Sequence, residues 1–360
     1  MTWIEVPKFG IKYFKTIKDF DSLNFRPSAT SLKITKAIEA MNEEKIEQST
    51  MINCLKNVKT TQLDRMYSPK IIPAEITKDT KWYEGRQQPK TIFYKVKSYN
   101  GKLNYNTSIL LPVDISLYFN EIEFDDYEKI HWATSGGFAC SKKENIAIAK
   151  GISELIENHF KMYWWFNKTD IYLISKKVLR TNLVFVKLVN QEIINDIDLY
   201  LLEIPEIVGS YISMCILKTS SFPYISVGFG ANPVFKDAIT HAIYEAIHYY
   251  RGSNWYRFIG DNEKQYTNKN EDIVSLVKET TNKSLVRRES FYDISPSIIT
   301  KKFDFFAKIV HSESSFITTK VFSMELQPLI NSKYVPFFNS DLYSQDNVMK
   351  RDKYDGVPFI

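Results

Sequence analysis

Three stretches of the chain align without gaps, and an internal repeat restricts the possible folds more than any other feature of this sequence. They are ITKAIEAMNEEKIEQ (34–48), ENIAIAKGISELIEN (144–158) and FKDAITHAIYEAIHY (235–249). Aligned on Glu44, Glu154 and Glu245, each has alanine seven residues earlier (Ala37, Ala147, Ala238) and isoleucine directly after that alanine (Ile38, Ile148, Ile239). Three residues before the glutamate stands Met41, Gly151 or Ala242, and two beyond it Ile46, Ile156 or Ile247. On a helix the alanine, small-residue and glutamate positions share one face, and the isoleucines lie on the face beside it. The isoleucine face reads as core. The small-residue face, least clear at Met41, lets another group approach the backbone and then presents a carboxylate. Two helices add a second carboxylate three residues on, Glu47 and Glu157, where the third has His248. A single pair of this kind equally describes solvated helix positions, since glutamate is a common helix former. The shared register is what sets these pairs apart.

Around the repeats the chain alternates between helix and strand signals. Helices are expected after a turn within 26–60, over 142–165 and over 235–251. Asn100-Gly101, between Lys90–Ser98 and Lys102–Leu111, is a strong hairpin signal. Segments 183–189, 197–204 and 211–217, with a turn near Pro205, read as strands from their β-branched and aromatic content, as do 303–310 and 316–322. The polar stretch 260–272 (GDNEKQYTNKNED) reads as a loop. The class expected is α/β, or a mixed α+β arrangement. With 360 residues, 44% hydrophobic and 25% charged, the chain can bury a sizeable core in one large or two ordinary domains.

Several classes of function fall away. The longest apolar stretch, Ile207–Leu217, is interrupted by Gly209, Ser210 and Ser213 and is too short to span a bilayer. The first residues lack the basic start and apolar centre of a signal peptide, so the expected compartment is the cytoplasm, with no membrane partner. Cys54, Cys140 and Cys215 are widely spaced and odd in number, which argues for a reducing compartment and against structural zinc. Each is expected to be a buried, inert thiol. The net charge of +5 comes from scattered lysines rather than a basic stripe, so no nucleic-acid partner is expected.

Two glutamate pairs facing one cleft would be acceptor-only oxygen clusters, which repel one another unless a hard cation such as magnesium lies between them. Small-residue segments precede two of the helices: Ser135-Gly136-Gly137-Phe138-Ala139-Cys140-Ser141 and Gly228-Phe229-Gly230-Ala231-Asn232-Pro233. Such segments leave backbone N–H groups for an anion at a helix start, although neither matches a Walker loop or a dinucleotide fingerprint. Before the first helix, Arg26-Pro27-Ser28-Ala29-Thr30-Ser31 offers hydroxyls that either cap the helix or contact phosphate. His241 and His248 on the third helix are either packed or solvent-facing, or serve as a substrate-side acid or base.

Together these residues resemble the YcaO family. The second helix, with Glu154-Leu-Ile-Glu157 after SGGFACS, is the closest match to the family's ExxE motif. The first is matched by register only, with Glu44-Lys-Ile-Glu47-Gln48 where the family has ExxER. GFGANP followed by Glu245-Ala-Ile-His248 is similar to the late motif, and the closing Val357-Pro358-Phe359-Ile360 to the proline-bearing C-terminus, especially of microcin-type azole synthetase subunits. The resemblance implies one large domain over 1–360, with repeated strand/helix units around an ATP cleft and a C-terminal tail at 344–360. It implies ATP and Mg2+ as cofactors. Glu44, Glu47, Glu154 and Glu157 would hold the metal. Ser28, Ser135, Ser141, Lys142, Glu245 and Arg251 would line the nucleotide pocket, with Ile360 at the reacting centre.

The activity implied is ATP-dependent cyclodehydration of Cys, Ser or Thr in a ribosomally made precursor peptide, giving thiazolines or oxazolines by backbone amide phosphorylation. Thioamide or amidine formation, and a catalytically silent scaffold, are the alternatives. The implied partners are the precursor peptide, a leader-peptide-binding subunit and a flavin dehydrogenase. Oligomeric state stays open, a homodimer within a complex among the options. The sequence departs from the family pattern at Gln48, Asn158, Lys142, Ile146 and His248, and its arginine is displaced to Arg251. These departures leave room for a divergent nucleotide site.

Overall fold

Each repeated helix follows a short strand at the same spacing. In the computed structural model, β3 (Ser28–Ser31) leads into α1 (Ile34–Asn53), β6 (Phe138–Ser141) into α2 (Glu144–Asn167), and β10 (Ile225–Asn232) into α5 (Phe235–Phe258), elements being numbered in chain order. Two residues join strand to helix every time. The structure describes residues 3–6, 11–15, 28–31, 33–53, 93–99, 103–112, 136–203, 208–258, 263–286, 303–313, 315–323 and 325–326. By its contacts the chain divides into two compact units that alternate along the sequence: residues 1–45, 160–299 and 359, and residues 46–159, 300–358 and 360.

The first unit holds two sheets. One is three-stranded and antiparallel, β1 (Trp3–Val6), β2 (Ile11–Lys15) and β3. The other runs β10-β9-β8-β7-β11, with β7 (Ile171–Ile174), β8 (Ile194–Glu203), β9 (Tyr211–Thr219) and β11 (Thr281–Val286). All its pairings are antiparallel except β7 with β11. Leu199, Tyr211, Cys215 and Leu217 pack with Ala238, Ala242 and Ile243 of α5 in one core. Successive residues of β9 are buried from Tyr211 to Leu217, so the sheet is covered on both faces, which explains why that strand lacks a polar alternation.

What approaches the small-residue face of α5 is its own preceding strand. A Cβ on Gly228 would strike the Ala242 carbonyl and the Ala246 amide, and one on Gly230 would strike the Ala238 carbonyl. Glycine on the strand and alanine on the helix together let the two backbones touch. In the second unit Gly151 of α2 is held the same way, since a Cβ there would lie 2.7 Å from the Gly137 oxygen and 2.7 Å from a Val321 methyl. This unit's sheet is antiparallel throughout, in the order β5-β4-β12-β13-β6. Its strands besides β6 are β4 (Phe93–Tyr99), β5 (Leu103–Pro112), β12 (Phe305–Glu313) and β13 (Phe316–Phe322).

The structure departs from the sequence reading at four places. Residues 183–189 are not a strand but α4 (Leu183–Val189), because Asn182 accepts from the Val184 and Phe185 amides as an N-cap and Val184, Phe185 and Leu188 are buried at helical spacing. Within the stretch expected as a loop begins α6 (Glu263–Thr280), whose apolar stripe, Ile273, Leu276 and Val277, comes only in its second half. Of the small-residue segments ahead of the helices, Phe138–Ser141 and Gly228–Asn232 lie in strands. Ile38, expected in the core with Ile148 and Ile239, is 40% exposed, while Ala37 and Met41 of the same helix are fully buried. The hairpin at Asn100-Gly101 is bracketed by paired β4 and β5, its tip lying outside the described residues. The turn near Pro205 and the tail 344–360 also lie outside them.

Candidate functional site

Two of the glutamates singled out in the sequence converge on one short piece of backbone in the second unit. Glu154 Oε2 accepts from the Gly137 N–H at 3.1 Å, and Glu47 Oε2 accepts from the Cys140 N–H at 3.1 Å. The acceptors come from α2 and α1, and the donors are the start and middle of the segment that forms β6. Lys150 Nζ donates to the Cys140 carbonyl at 3.2 Å. Gly137 has a φ of +83°, a backbone conformation glycine adopts without the strain a Cβ brings, and here a Cβ would also strike the Val321 carbonyl. Glu157, one turn beyond Glu154, is buried at 7% exposure, and Ser141 at the end of β6 is buried as well.

A related contact occurs in the first unit, with the donor amide one residue later in the repeat. Glu245 Oε2 accepts from the Phe229 N–H, between Gly228 and Gly230. Gly137-Phe138 and Gly228-Phe229 stand at the same distance before Glu154 and Glu245, so the repeat extends from helix to strand. Glu44, half-buried, lies one turn before Glu47 on α1. His248 and Arg251 are half-buried on α5, and Lys142 is exposed, its Nζ 6.0 Å from the centre of the Phe316 ring. Ser28 lies on β3, paired with Lys15. Ser135 and Ile360 lie outside the described residues. Two features went unread in the sequence: the buried ammonium groups of Lys320 and Lys161, over the rings of Phe138 and Phe229. The recurrent Gly-Phe pair was a signal for the rings; nothing in the local sequence marks the lysines.

Among the described residues no group of three or more His, Cys, Asp or Glu side chains is gathered as a metal site. The donor chemistry nevertheless fits a hard cation. A carboxylate offers about four acceptor positions, so a backbone N–H on one oxygen is compatible with a cation on the other. Cys140 and Cys215 are both buried, and burial pushes the Cys215 thiol up, away from the reactive thiolate. Cys54 lies outside the described residues.

The family model described as "YcaO cyclodehydratase, ATP- and Mg2+-binding" matches residues 71–315, more than half of the chain. The chain belongs to the YcaO family. The match takes in Glu154, Glu157 and Glu245 and begins after α1. Solved structures bear out the YcaO fold. One from the E. coli microcin synthetase McbBCD complex is 15% identical, with a TM-score of 0.74, over 100% of this chain and 96% of that one. The YcaO of Methanopyrus kandleri bound with AMPPCP and Mg2+ is 11% identical, with a TM-score of 0.64, over 89% of this chain and 84% of that one. A heterocyclase in complex with substrate and cofactor is 12% identical, with a TM-score of 0.63, over 94% of this chain but 50% of that one. No curated protein matches the chain in sequence. No helix among the described residues is long and apolar enough to cross a membrane.

Proposed function

We propose that the chain is an ATP-dependent peptide cyclodehydratase that forms thiazolines or oxazolines. The observation that carries this reading is the convergence of Glu47 and Glu154 on the backbone of Gly137–Cys140. Glu44, Glu47, Glu154 and Glu157 would hold Mg2+, which when bound neutralises phosphate charge. Ser28, Ser135, Ser141, Lys142, Glu245 and Arg251 are assigned to the nucleotide. The Cys, Ser or Thr side chain of the peptide attacks the preceding amide carbon and loses its proton. The amide oxygen takes the terminal phosphoryl group of ATP, the amide nitrogen gives up its proton to solvent, and the oxygen leaves as phosphate as the carbon–nitrogen double bond closes. The products are ADP, phosphate and a peptide lighter by one water. Ile360 is assigned to the reacting centre.

The partners proposed are a precursor peptide, a subunit that binds its leader, and a flavin dehydrogenase that would oxidise the azoline. The test is mass spectrometry of a candidate precursor incubated with the chain, its partner subunits, ATP and Mg2+. Loss of one water per modified residue, with ADP formed in step, supports the reading. A thioamide mass would move the chain to the sibling chemistry. One observation favours a silent scaffold instead: position 146, where the family places an acidic residue, is an isoleucine 42% exposed. No ADP formed and an unchanged peptide mass with the complete complex would establish the scaffold.

A further inference from the structure

We propose that Lys320 is a positioning residue for this site: its buried ammonium fixes the Gly136–Gly137 peptide group so that its N–H faces Glu154. The inference rests on the reading of Glu154 as a Mg·ATP ligand. Lys320 lies on β13 opposite Phe138 and is only 5% exposed. Lysine is seldom buried, because its ammonium loses hydration and its long stem loses rotamer freedom. Here Nζ donates to the Gly136 carbonyl and stands 4.8 Å from the centre of the Phe138 ring, two contacts that offset part of the cost of burial.

The Gly136 carbonyl and the Gly137 N–H are the two ends of a single peptide group. That group is planar and trans, so anchoring its oxygen aims its N–H the opposite way. The N–H then meets Glu154 Oε2 at 3.1 Å. Ammonium, peptide and carboxylate form a chain in which each bond polarises the next. The anchor matters because both flanking residues are glycines, which resist a flip of the peptide plane less than any other residue. The next amide along β13, Val321 N–H, donates to the Gly137 carbonyl at 2.8 Å and fixes the following peptide group too. Without Lys320 the Gly136–Gly137 peptide can turn its carbonyl toward Glu154 and repel the carboxylate from its place.

The first unit repeats the parts with a lysine from another element. Lys161 of α2, also 5% exposed, holds its Nζ 4.6 Å from the centre of the Phe229 ring, and the Phe229 N–H donates to Glu245. An ammonium on a phenylalanine face beside a glycine-flanked N–H–glutamate bond thus occurs in both repeats.

The test is a double-mutant cycle on the full chain, with Mg·ATP affinity read by calorimetry for wild type, Lys320→Met, Glu154→Gln and the double variant. Lys320→Met should weaken binding about tenfold, the scale of a lost hydrogen bond to a charged group. The double variant should bind no worse than Glu154→Gln alone, because the lysine acts through that carboxylate. Wild-type affinity in Lys320→Met, or losses that multiply in the double variant, would overturn the inference while the site assignment stands. Unchanged binding in Glu154→Gln would overturn both. Should Lys320→Met not fold, Lys320→Arg carries the test: the retained cation should preserve binding, and a loss as large as that of Glu154→Gln overturns the proposal.

Discussion

Gly228→Ala and Gly252→Ala should move stability in opposite directions, although each adds one methyl group to the same strand–helix unit. A Cβ at Gly228 would fall inside the contact shells of the Ala242 carbonyl and the Ala246 amide, and 2.8 Å from the Glu245 carbonyl carbon. All three are backbone atoms of α5, so no side chain can rotate away and β10 must part from the helix. Overpacking of this kind costs about 1–3 kcal/mol, and a rigid partner puts Gly228→Ala toward the upper end. Gly252 lies within α5 with nothing within 4 Å of its would-be Cβ. Alanine in a helix interior is better than glycine by about 0.5–1 kcal/mol, so Gly252→Ala should stabilise by that amount. Urea titration of both variants, compared at equal slope, reads the difference directly. Wild-type stability in Gly228→Ala would refute the close strand–helix packing on which the repeat rests, and a loss in Gly252→Ala would refute the open space around Gly252.

Other expectations concern burial and capping. His159 is 1% exposed, and burial lowers its pKa from 6.5 to about 4. The unfolded chain therefore binds more protons between those values, so the histidine's contribution is complete above pH 6.5 and is lost as pH falls toward 4. The full loss is on the order of 3 kcal/mol, and urea titrations from pH 7 to pH 5 should show about 2 kcal/mol of it in wild type and much less in His159→Leu. Equal pH dependence in the two would sink the assignment. Asn182→Ala removes the cap of α4 and the 2.9 Å bond to Thr240, and should lower the unfolding midpoint by the equivalent of about 1–2 kcal/mol. Asn182→Asp keeps the cap and should recover part of that loss; a variant no better than alanine would show that the cap is not what matters.

The part of the fold legible in the sequence was the part with strong period. Residues 144–167 and 235–258 each form one long helix, and strands at 194–203, 211–219 and 316–322 fall where β-branched residues cluster. The run Leu183–Val189 misled because a short apolar stretch has no period long enough to separate strand from helix; the cap at Asn182 decides it. β3 and β6 are four residues each, too short for an alternating pattern to show before a neighbouring strand pairs with them. Of the candidate site, the register of Glu44, Glu154 and Glu245 was visible because the repeat is local. Lys320 was not, since β13 reaches Phe138 across a separation of more than 180 residues that no local pattern encodes.

The central claim is that the helix glutamates hold Mg·ATP, and calorimetry of Mg·ATP binding to wild type, Glu154→Gln and Glu39→Gln, with partner subunits present, tests it most directly. Glu39 lies on α1, pairs with Lys36 at 2.8 Å, is not among the glutamates assigned to the metal, and serves as the control. Binding retained in Glu39→Gln and weakened in Glu154→Gln is the expected result. Binding that survives Glu154→Gln unchanged would contradict the assignment.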